Sequence, residues 1–408
     1  MKRLLRSIIL FLVRIYGSFQ NRTVDQKSSP QSDQAPRILL IRPDHLGDMV
    51  LTTPILQTIK EQLPSAQITM MIGPWSSEIV ARHPAVDRLL TCPFPGFQRA
   101  SQKPLDPYKL LFRTARQLKE NHYDLAINLR PDFWWGAALI YLAGIPRRIG
   151  YASRLNKPFL SQALPFPEAE HATVSNLRLA SAGLQALGSP ALAEPFTPEK
   201  YPLVFQPHED ELAWADEQLK EAQWDDGAPI VVIHPGTGGA VKLWRTDGWS
   251  QIANQLTSGK LLSAPAHVIF TGSKSEQPMI EEIASTLETQ PLMMTSMSVG
   301  QLAALLSRAD LVLGVDNGPL HIAAAQGVRS LRLFGPTDSH IFGPWGVPDK
   351  QQVLLATQPC PGCPFIPCGR LDFSPEELPA HPCVRLIPDQ QVEQAIKTLM
   401  QTEPVQQA

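Results

Sequence analysis

The sequence predicts an α/β fold in two similar halves. Short apolar runs alternate with longer helical stretches, the pattern occurs twice, and a proline-rich stretch separates the two occurrences. The length of 408 residues suits two or three domains.

The first half opens at RILLIRPDHLGDMVLTTPILQTIKEQLP. Ile38 to Ile41 reads as a buried parallel strand, followed by a loop and a helical segment. ITMMIG (68–73), VDRLLTC (86–92) and YDLAINLR (123–130) are the next strands, and YKLLFRTARQLKEN is a helix between them. Strands alternating with helices imply parallel pairing. SPALAEPFTPEKYP breaks the pattern, so the linker is expected between about 188 and 202. The second half repeats the scheme with helix HEDELAWADEQLKEA, strand PIVVIHPG, strand HVIFTGS, helix EQPMIEEIASTL, strand DLVLGVD, a helix, and strand SLRLFGP. Two such domains imply a ligand cleft between them.

Composition narrows the class. Hydrophobic residues are 43%, charged residues 18% and the net charge is -2, which fits a globular protein and argues against a nucleic-acid binder. The 39 prolines do not form PxxP repeats and act as punctuation. The N-terminus MKRLLRSIILFLVRIYGSF carries Lys2, Arg3, Arg6 and Arg14 around a short apolar run, Ile8 to Val13. Six apolar residues cannot span a bilayer, and a signal-peptide cleavage site is missing. Two readings remain: a basic amphipathic helix on an anionic membrane face, or a loosely ordered helical extension. The polar residues 21–36 read as a flexible tether.

In the second half, GVDNGPLHIAAAQG (314–327) runs from a strand into a helix through Asp-Asn-Gly-Pro. Asp316 and Asn317 fall at the strand's carboxyl end, where open α/β sheets bind ligands. Gly318 allows close approach, Pro319 suits a helix start and Gly327 a helix stop. The first-turn N–H groups of Gly318, Leu320 and His321 then suit an anion such as phosphate; the alternative is an ordinary capped helix with His321 on the surface. HPGTGGAVKLWRTDGW (234–249) adds a glycine-rich turn with Thr237, Lys242 and Arg245, which can face a diphosphate. TGSKSE (271–276) ends another strand, and Glu276 can accept from ribose hydroxyls. Neither GxGxxG after the first strand nor GxxxxGK[ST] is present, which disfavours a dehydrogenase and a P-loop NTPase.

RPDHLGDMVLTTPIL, HPGTGGAVKLWRTDGW, TGSKSE and GVDNGPLHIAAA, in this order and with AGIPRRIGYA at 143–152, resemble glycosyltransferase family 9, the ADP-heptose:lipopolysaccharide heptosyltransferases and their relatives. The resemblance covers roughly residues 37–400. It implies a GT-B fold, in which two Rossmann-like domains face each other across a cleft. The acceptor domain would be 37–190 and the nucleotide-sugar domain 203–400, preceded by the basic segment and tether 1–36. It also implies an inverting transfer that needs no metal or cofactor, from an ADP-sugar to a lipopolysaccharide core or similar lipid-linked glycan. By position in the family motifs, Asp48 is the general base and Lys242 the diphosphate contact; Asp316, Gly318 and His321 match D-x-G-x-x-H, where Asn317, Gly318 and His321 would bind phosphate and Asp316 would hold the loop or reach the nucleoside, and Glu276 is the nucleotide-side glutamate. A hydroxyl needs a base as it attacks, but Asp48 also fits a helix cap, and Asp44 is a rival base, His45 a weaker one.

Arg147 and Arg148 are acceptor-side candidates for an anionic sugar, or else a solvated basic turn. The partners implied are a nucleotide sugar and a glycolipid acceptor, with the inner-leaflet surface as a further one; oligomeric state is not legible. Two alternatives keep the scaffold and change the function: a different nucleotide sugar, or a non-catalytic nucleotide- or glycan-binding module. Cytoplasmic location follows from this reading. Cys360, Cys363, Cys368 and Cys383 form Cys-x2-Cys-x4-Cys-x14-Cys with His381 nearby. One CxxC fits a zinc knuckle, while the irregular second spacing favours a reduced, partly buried cluster.

Overall fold

The computed structural model describes residues 9–11, 13–15, 17–18, 35–97, 103–166, 169–224 and 227–401. Lys2, Arg3, Arg6 and the tether up to residue 34 lie outside the described residues. The chain divides into two compact units, Met1–Phe196 and Thr197–Ala408.

In the first unit, strands β1 (Arg37–Arg42), β2 (Gln67–Ile72), β3 (Arg88–Thr91), β4 (Leu125–Asn128), β5 (Arg147–Tyr151) and β6 (Gln162–Leu164) form one parallel sheet in the order β3-β2-β1-β4-β5-β6. Leu39, Leu40 and Ile41 are wholly buried, because helices cover both faces of the sheet. β5 and β6 were not among the expected strands. β5 begins with two arginines and β6 has only three residues, so neither shows an apolar run.

The second unit repeats this topology. Its strands are β7 (Ile230–His234), β8 (His267–Thr271), β9 (Leu292–Met294), β10 (Leu311–Val315), β11 (Arg329–Phe334) and β12 (Gln351–Leu355), ordered β12-β11-β10-β7-β8-β9 and parallel throughout. Counted within the unit, both sheets read 3-2-1-4-5-6, the doubly wound order of Rossmann domains. β9 and the half-exposed edge strand β12 escaped the sequence reading.

This topology dictates where ligands bind. The chain reverses direction across the sheet between β1 and β4, and again between β7 and β10. At such a switch point the loops leaving the two central strands diverge to opposite faces and open a crevice at the carboxyl edge. RPDHLGD leaves β1, LRPD leaves β4, HPGTGG leaves β7 and DNGP leaves β10. The candidate loops therefore occupy the switch points of the two sheets.

The described N-terminal residues are helical and packed. Leu10 and Val13 are buried in the first unit's core, and the Tyr141 hydroxyl donates to the Arg14 carbonyl at 3.0 Å. Gly17 lies so close to Tyr141 that a Cβ there would fall 2.2 Å from its ring. This corrects the picture of a loose extension: one face of the helix is part of the domain. Its other face exposes Phe11 and Ile15, at 62% and 41%.

Candidate functional site

In the first unit the site is built around a buried guanidinium. Arg42 ends β1 with 5% of its surface exposed. Its Nη1 donates to the Leu129 carbonyl at 3.3 Å and to Asn176 Oδ1 at 3.0 Å, which ties β1 to the end of β4 and to helix Ala172–Ala186. Its Nη2 donates to Asp48 Oδ1 at 3.2 Å, and its Nε lies 2.6 Å from Asp44 Oδ2. That last approach is a charge contact rather than a hydrogen bond, since neither atom meets a partner in hydrogen-bonding geometry.

Asp48 lies in the first turn of helix Leu46–Val50 and not at a cap position, which His45 occupies. The Asp48 side chain keeps 29% of its surface accessible, against 3% for Asp44. Asp44 also meets Arg130 Nη1, and its main-chain carbonyl accepts from Trp75 Nε1 at 3.0 Å. Asp44 is thus a buried ion-pair residue and not an acceptor contact, a correction that follows from the two arginines around it.

Both central strands end in Arg-Pro-Asp, 42–44 and 130–132, and each arginine contacts the aspartate of its own triplet, Arg130 Nε meeting Asp132 at 2.8 Å. The Asp44–Arg130 pair joins the triplets. This repeat is the signal that could have found Arg42 and Arg130, which the sequence reading passed over.

Arg147 and Arg148 need correcting as acceptor contacts. They open β5, level with Leu125 and Ala126 at the start of β4, so they sit at the amino edge of the sheet. The switch-point loops lie at the other edge. Arg148 donates to the carbonyls of Phe159, Ile145 and Pro146 and lies over the Tyr141 ring, so its charge serves the fold. The Arg147 side chain makes no hydrogen bond or ion pair among the described residues.

In the second unit Asp316 is the hub. Its carboxylate accepts from Lys242 Nζ at 3.1 Å and from Thr337 Oγ1 at 2.7 Å. Its main-chain carbonyl accepts from Lys242 Nζ at 2.8 Å and Thr237 Oγ1 at 3.1 Å. Asn317 caps helix Gly318–Ala325 by accepting from the Leu320 N–H at 3.2 Å, and its Nδ2 donates to the carbonyls of His234 and Gly236 at 3.3 and 2.8 Å. One asparagine thus starts the helix and pins it to the glycine-rich loop. Leu320 therefore does not offer its N–H to an anion as expected. Pro319 sits within the first turn, and Gly327 follows the helix with φ +71°, the left-handed stop that glycine favours.

Behind this helix lies a buried cation. Arg332 on β11 is 1% exposed; its Nη2 donates to the Leu320 carbonyl at 2.7 Å, and its Nη1 lies 3.2 Å from Nδ1 of the buried His321. Burial pushes the Arg332 guanidinium down to about 9, while Asp316 pulls it up. A charged Arg332 donating to Nδ1 leaves the His321 proton on Nε2. His234 is buried with Nδ1 2.9 Å from Thr271 Oγ1, and burial pushes it down to about 4 against the pull of Glu276.

Glu276 accepts from the Ser273 N–H and hydroxyl at 2.7 and 2.8 Å. Its carboxylate lies so close to Gly236 that a Cβ there would stand 2.0 Å from Oε1, so a side chain at 236 would displace the Glu276 carboxylate from Ser273. The structure thus brings together Thr237, Lys242, Glu276, Asp316, Asn317, Gly318 and His321. It does not add Arg245 to them. Arg245 pairs with Asp389 and Asp247 and lies over the Trp244 ring. Asp389 is far along the chain, so proximity in sequence to Lys242 was a poor guide.

Residues 111–364 match the family described as glycosyltransferase family 9 (heptosyltransferase). Lipopolysaccharide heptosyltransferase 1 of Pseudomonas aeruginosa is 29% identical over 337 residues, 80% of this chain and 86% of the relative. Among solved structures, the family 9 glycosyl transferase of Veillonella parvula superposes with a TM-score of 0.70 at 21% identity, over 90% of this chain and 98% of that one. The E. coli heptosyltransferase WaaC with ADP does so with a TM-score of 0.62 at 19% identity, over 89% and 99%. These likenesses bear out the expected fold class.

Proposed function

The chain belongs to glycosyltransferase family 9 and is a glycosyltransferase; on that premise we propose that it moves heptose from ADP-heptose to a lipopolysaccharide core. The relative from P. aeruginosa carries a heptosyltransferase name, and the fold likeness extends to a structure described with ADP. The observation that carries the reading is the convergence of Lys242, Thr237 and Thr337 on Asp316 at the switch point of the second sheet.

In this reading residues 203–400 take the nucleotide sugar and residues 37–190 the acceptor. The acceptor hydroxyl attacks the anomeric carbon, its oxygen forms the new bond, and the bond to the diphosphate breaks with inversion. Asp48 takes the hydroxyl proton, oriented by Arg42. ADP leaves with the electron pair. Lys242 Nζ is held by the Asp316 carbonyl and carboxylate, and its charge serves the diphosphate, where charge gathers as the bond breaks. Glu276 meets the ribose, and Asn317, Gly318 and His321 form the phosphate side of the site. No step calls for a metal ion or cofactor.

No described helix is long and apolar enough to cross a membrane. Phe11 and Ile15, four residues apart and exposed beside Arg14, suit shallow contact with an anionic bilayer. Work at the cytoplasmic face of the inner membrane follows.

Calorimetry with ADP, UDP and GDP, then transfer from ADP-heptose to core acceptor, tests the reading. ADP alone should bind tightly and ADP-heptose should be consumed. Binding of UDP with no binding of ADP would rule the heptose donor out.

A further inference from the structure

Residues 356–388 form a segment with little regular structure, containing two short 3-10 turns, Leu378–Ala380 and Val384–Leu386. Ala356, Cys360, Cys383, Val384 and Ile387 anchor its two ends in the second unit's core, while none of residues 361–382 between them is fully buried. Four free cysteines and a histidine gather in it. The turn Cys360–Cys363 closes through the Cys363 N–H to the Cys360 carbonyl at 2.9 Å, with Gly362 at φ +80°. This brings both thiols to one side. The ligand atoms of Cys360, Cys363 and His381 all lie within 4.8 Å of one another. Cys363 Sγ is 3.5 Å from His381 Nδ1. Two such atoms on one tetrahedral zinc, at ordinary bond lengths, stand about 3.6 Å apart. The imidazole is set in place by Phe373, whose ring centroid is 3.9 Å away.

We propose that Cys360, Cys363, Cys368 and His381 bind one divalent zinc-type cation that staples this loop. Cys368, five residues beyond Cys363 on the same loop and half-buried, supplies the fourth ligand. Cys383 is 3% exposed and wedged under Gly335, where an added Cβ would come 3.0 Å from its sulfur. It packs beneath the site without binding. Uptake exchanges three thiol protons for the metal, leaving a Cys3His centre of net charge -1.

The staple has a structural consequence for the donor loops. The Gly369 N–H donates to the Pro336 carbonyl at 2.8 Å, and Gly335 packs on Cys383 and Val384. Pro336 precedes Thr337, which holds the Asp316 carboxylate. Trp244, two residues from Lys242, donates to the Ile387 carbonyl at 3.0 Å. The metal is thus a support for the turn beside Asp316 and has no part in the reaction.

The test is the metal content of the full chain, purified without a metal-affinity tag, measured by elemental mass spectrometry and by titration of the reduced protein with Zn(II) and Co(II). Wild type should hold about one metal per chain and give the intense visible bands and thiolate charge-transfer absorption of tetrahedral cobalt. Cys363→Ser, Cys368→Ser and His381→Ala should fall below about a fifth of that, while Cys383→Ser and Cys92→Ser keep it. Wild type that takes up neither ion in a saturable one-to-one manner overturns the proposal, and needs no variant to fold. Full metal retention by Cys363→Ser overturns it equally. Loss in Cys383→Ser with retention in Cys368→Ser overturns the ligand set.

Discussion

Lys242 Nζ donates to both the main-chain carbonyl and the carboxylate of Asp316, at 2.8 and 3.1 Å, with 15% of the lysine side chain exposed. The ammonium is therefore held in place before any diphosphate arrives. Charge-assisted hydrogen bonds of this kind are worth about 1.5–3 kcal/mol. Lys242→Ala should weaken ADP binding by roughly 10- to 100-fold, read by calorimetry. Asp316→Asn keeps an acceptor for Thr337 but removes the charge that holds Lys242, so it should weaken ADP by a smaller factor. Equal ADP affinity in wild type and Lys242→Ala would contradict this arrangement.

Arg42 Nη2 holds the Asp48 carboxylate at 3.2 Å. Arg42→Lys keeps the charge but cannot serve Leu129, Asn176 and Asp48 together, because a lysine lacks the planar fork. The expected outcome is a fall in kcat of at least about 10-fold with KM for ADP-heptose little changed, and a shifted pH–rate profile. A variant with only a lowered melting temperature would make Arg42 purely structural.

Gly236→Ala places a methyl against the Glu276 carboxylate. Overpacking at such a contact costs about 1–3 kcal/mol, and the strain falls on two donor loops at once. Loss of thermal stability together with weaker ADP binding is expected. Glu276→Ala in the same chain should restore much of the stability, which a melting curve of the double variant checks.

Two buried histidines give the fold an acid limit. Burial pushes both His83 and His234 down to about 4 from 6.5. Between those pH values the unfolded chain binds protons that the folded chain does not, so stability falls as pH drops from 6.5 towards 4. The loss is on the order of 3 kcal/mol per histidine at the lower end. Denaturant midpoints across this range should decline, and His83→Gln should flatten the decline.

Much of this fold was legible because a parallel sheet buried on both faces writes its central strands as unbroken apolar runs. β1, β4, β7 and β10 are such strands, and the loops that leave them carry most of the candidate residues. The edge strands β6, β9 and β12 lack that signature, being short or half exposed. The misreadings at the site share one cause. Arg245 and Asp44 look available in sequence, yet their partners Asp389 and Arg130 lie 144 and 86 residues away. Arg148 resembles a sugar-binding cation until strand order puts it at the amino edge of its sheet.

The account turns on Asp48 as the base. The direct test is Asp48→Ala, assayed for transfer from ADP-heptose and titrated with ADP in the same preparation. The account predicts ADP affinity within about 2-fold of wild type and a transfer rate reduced by roughly 100- to 10,000-fold. Unchanged transfer with intact ADP binding would contradict it.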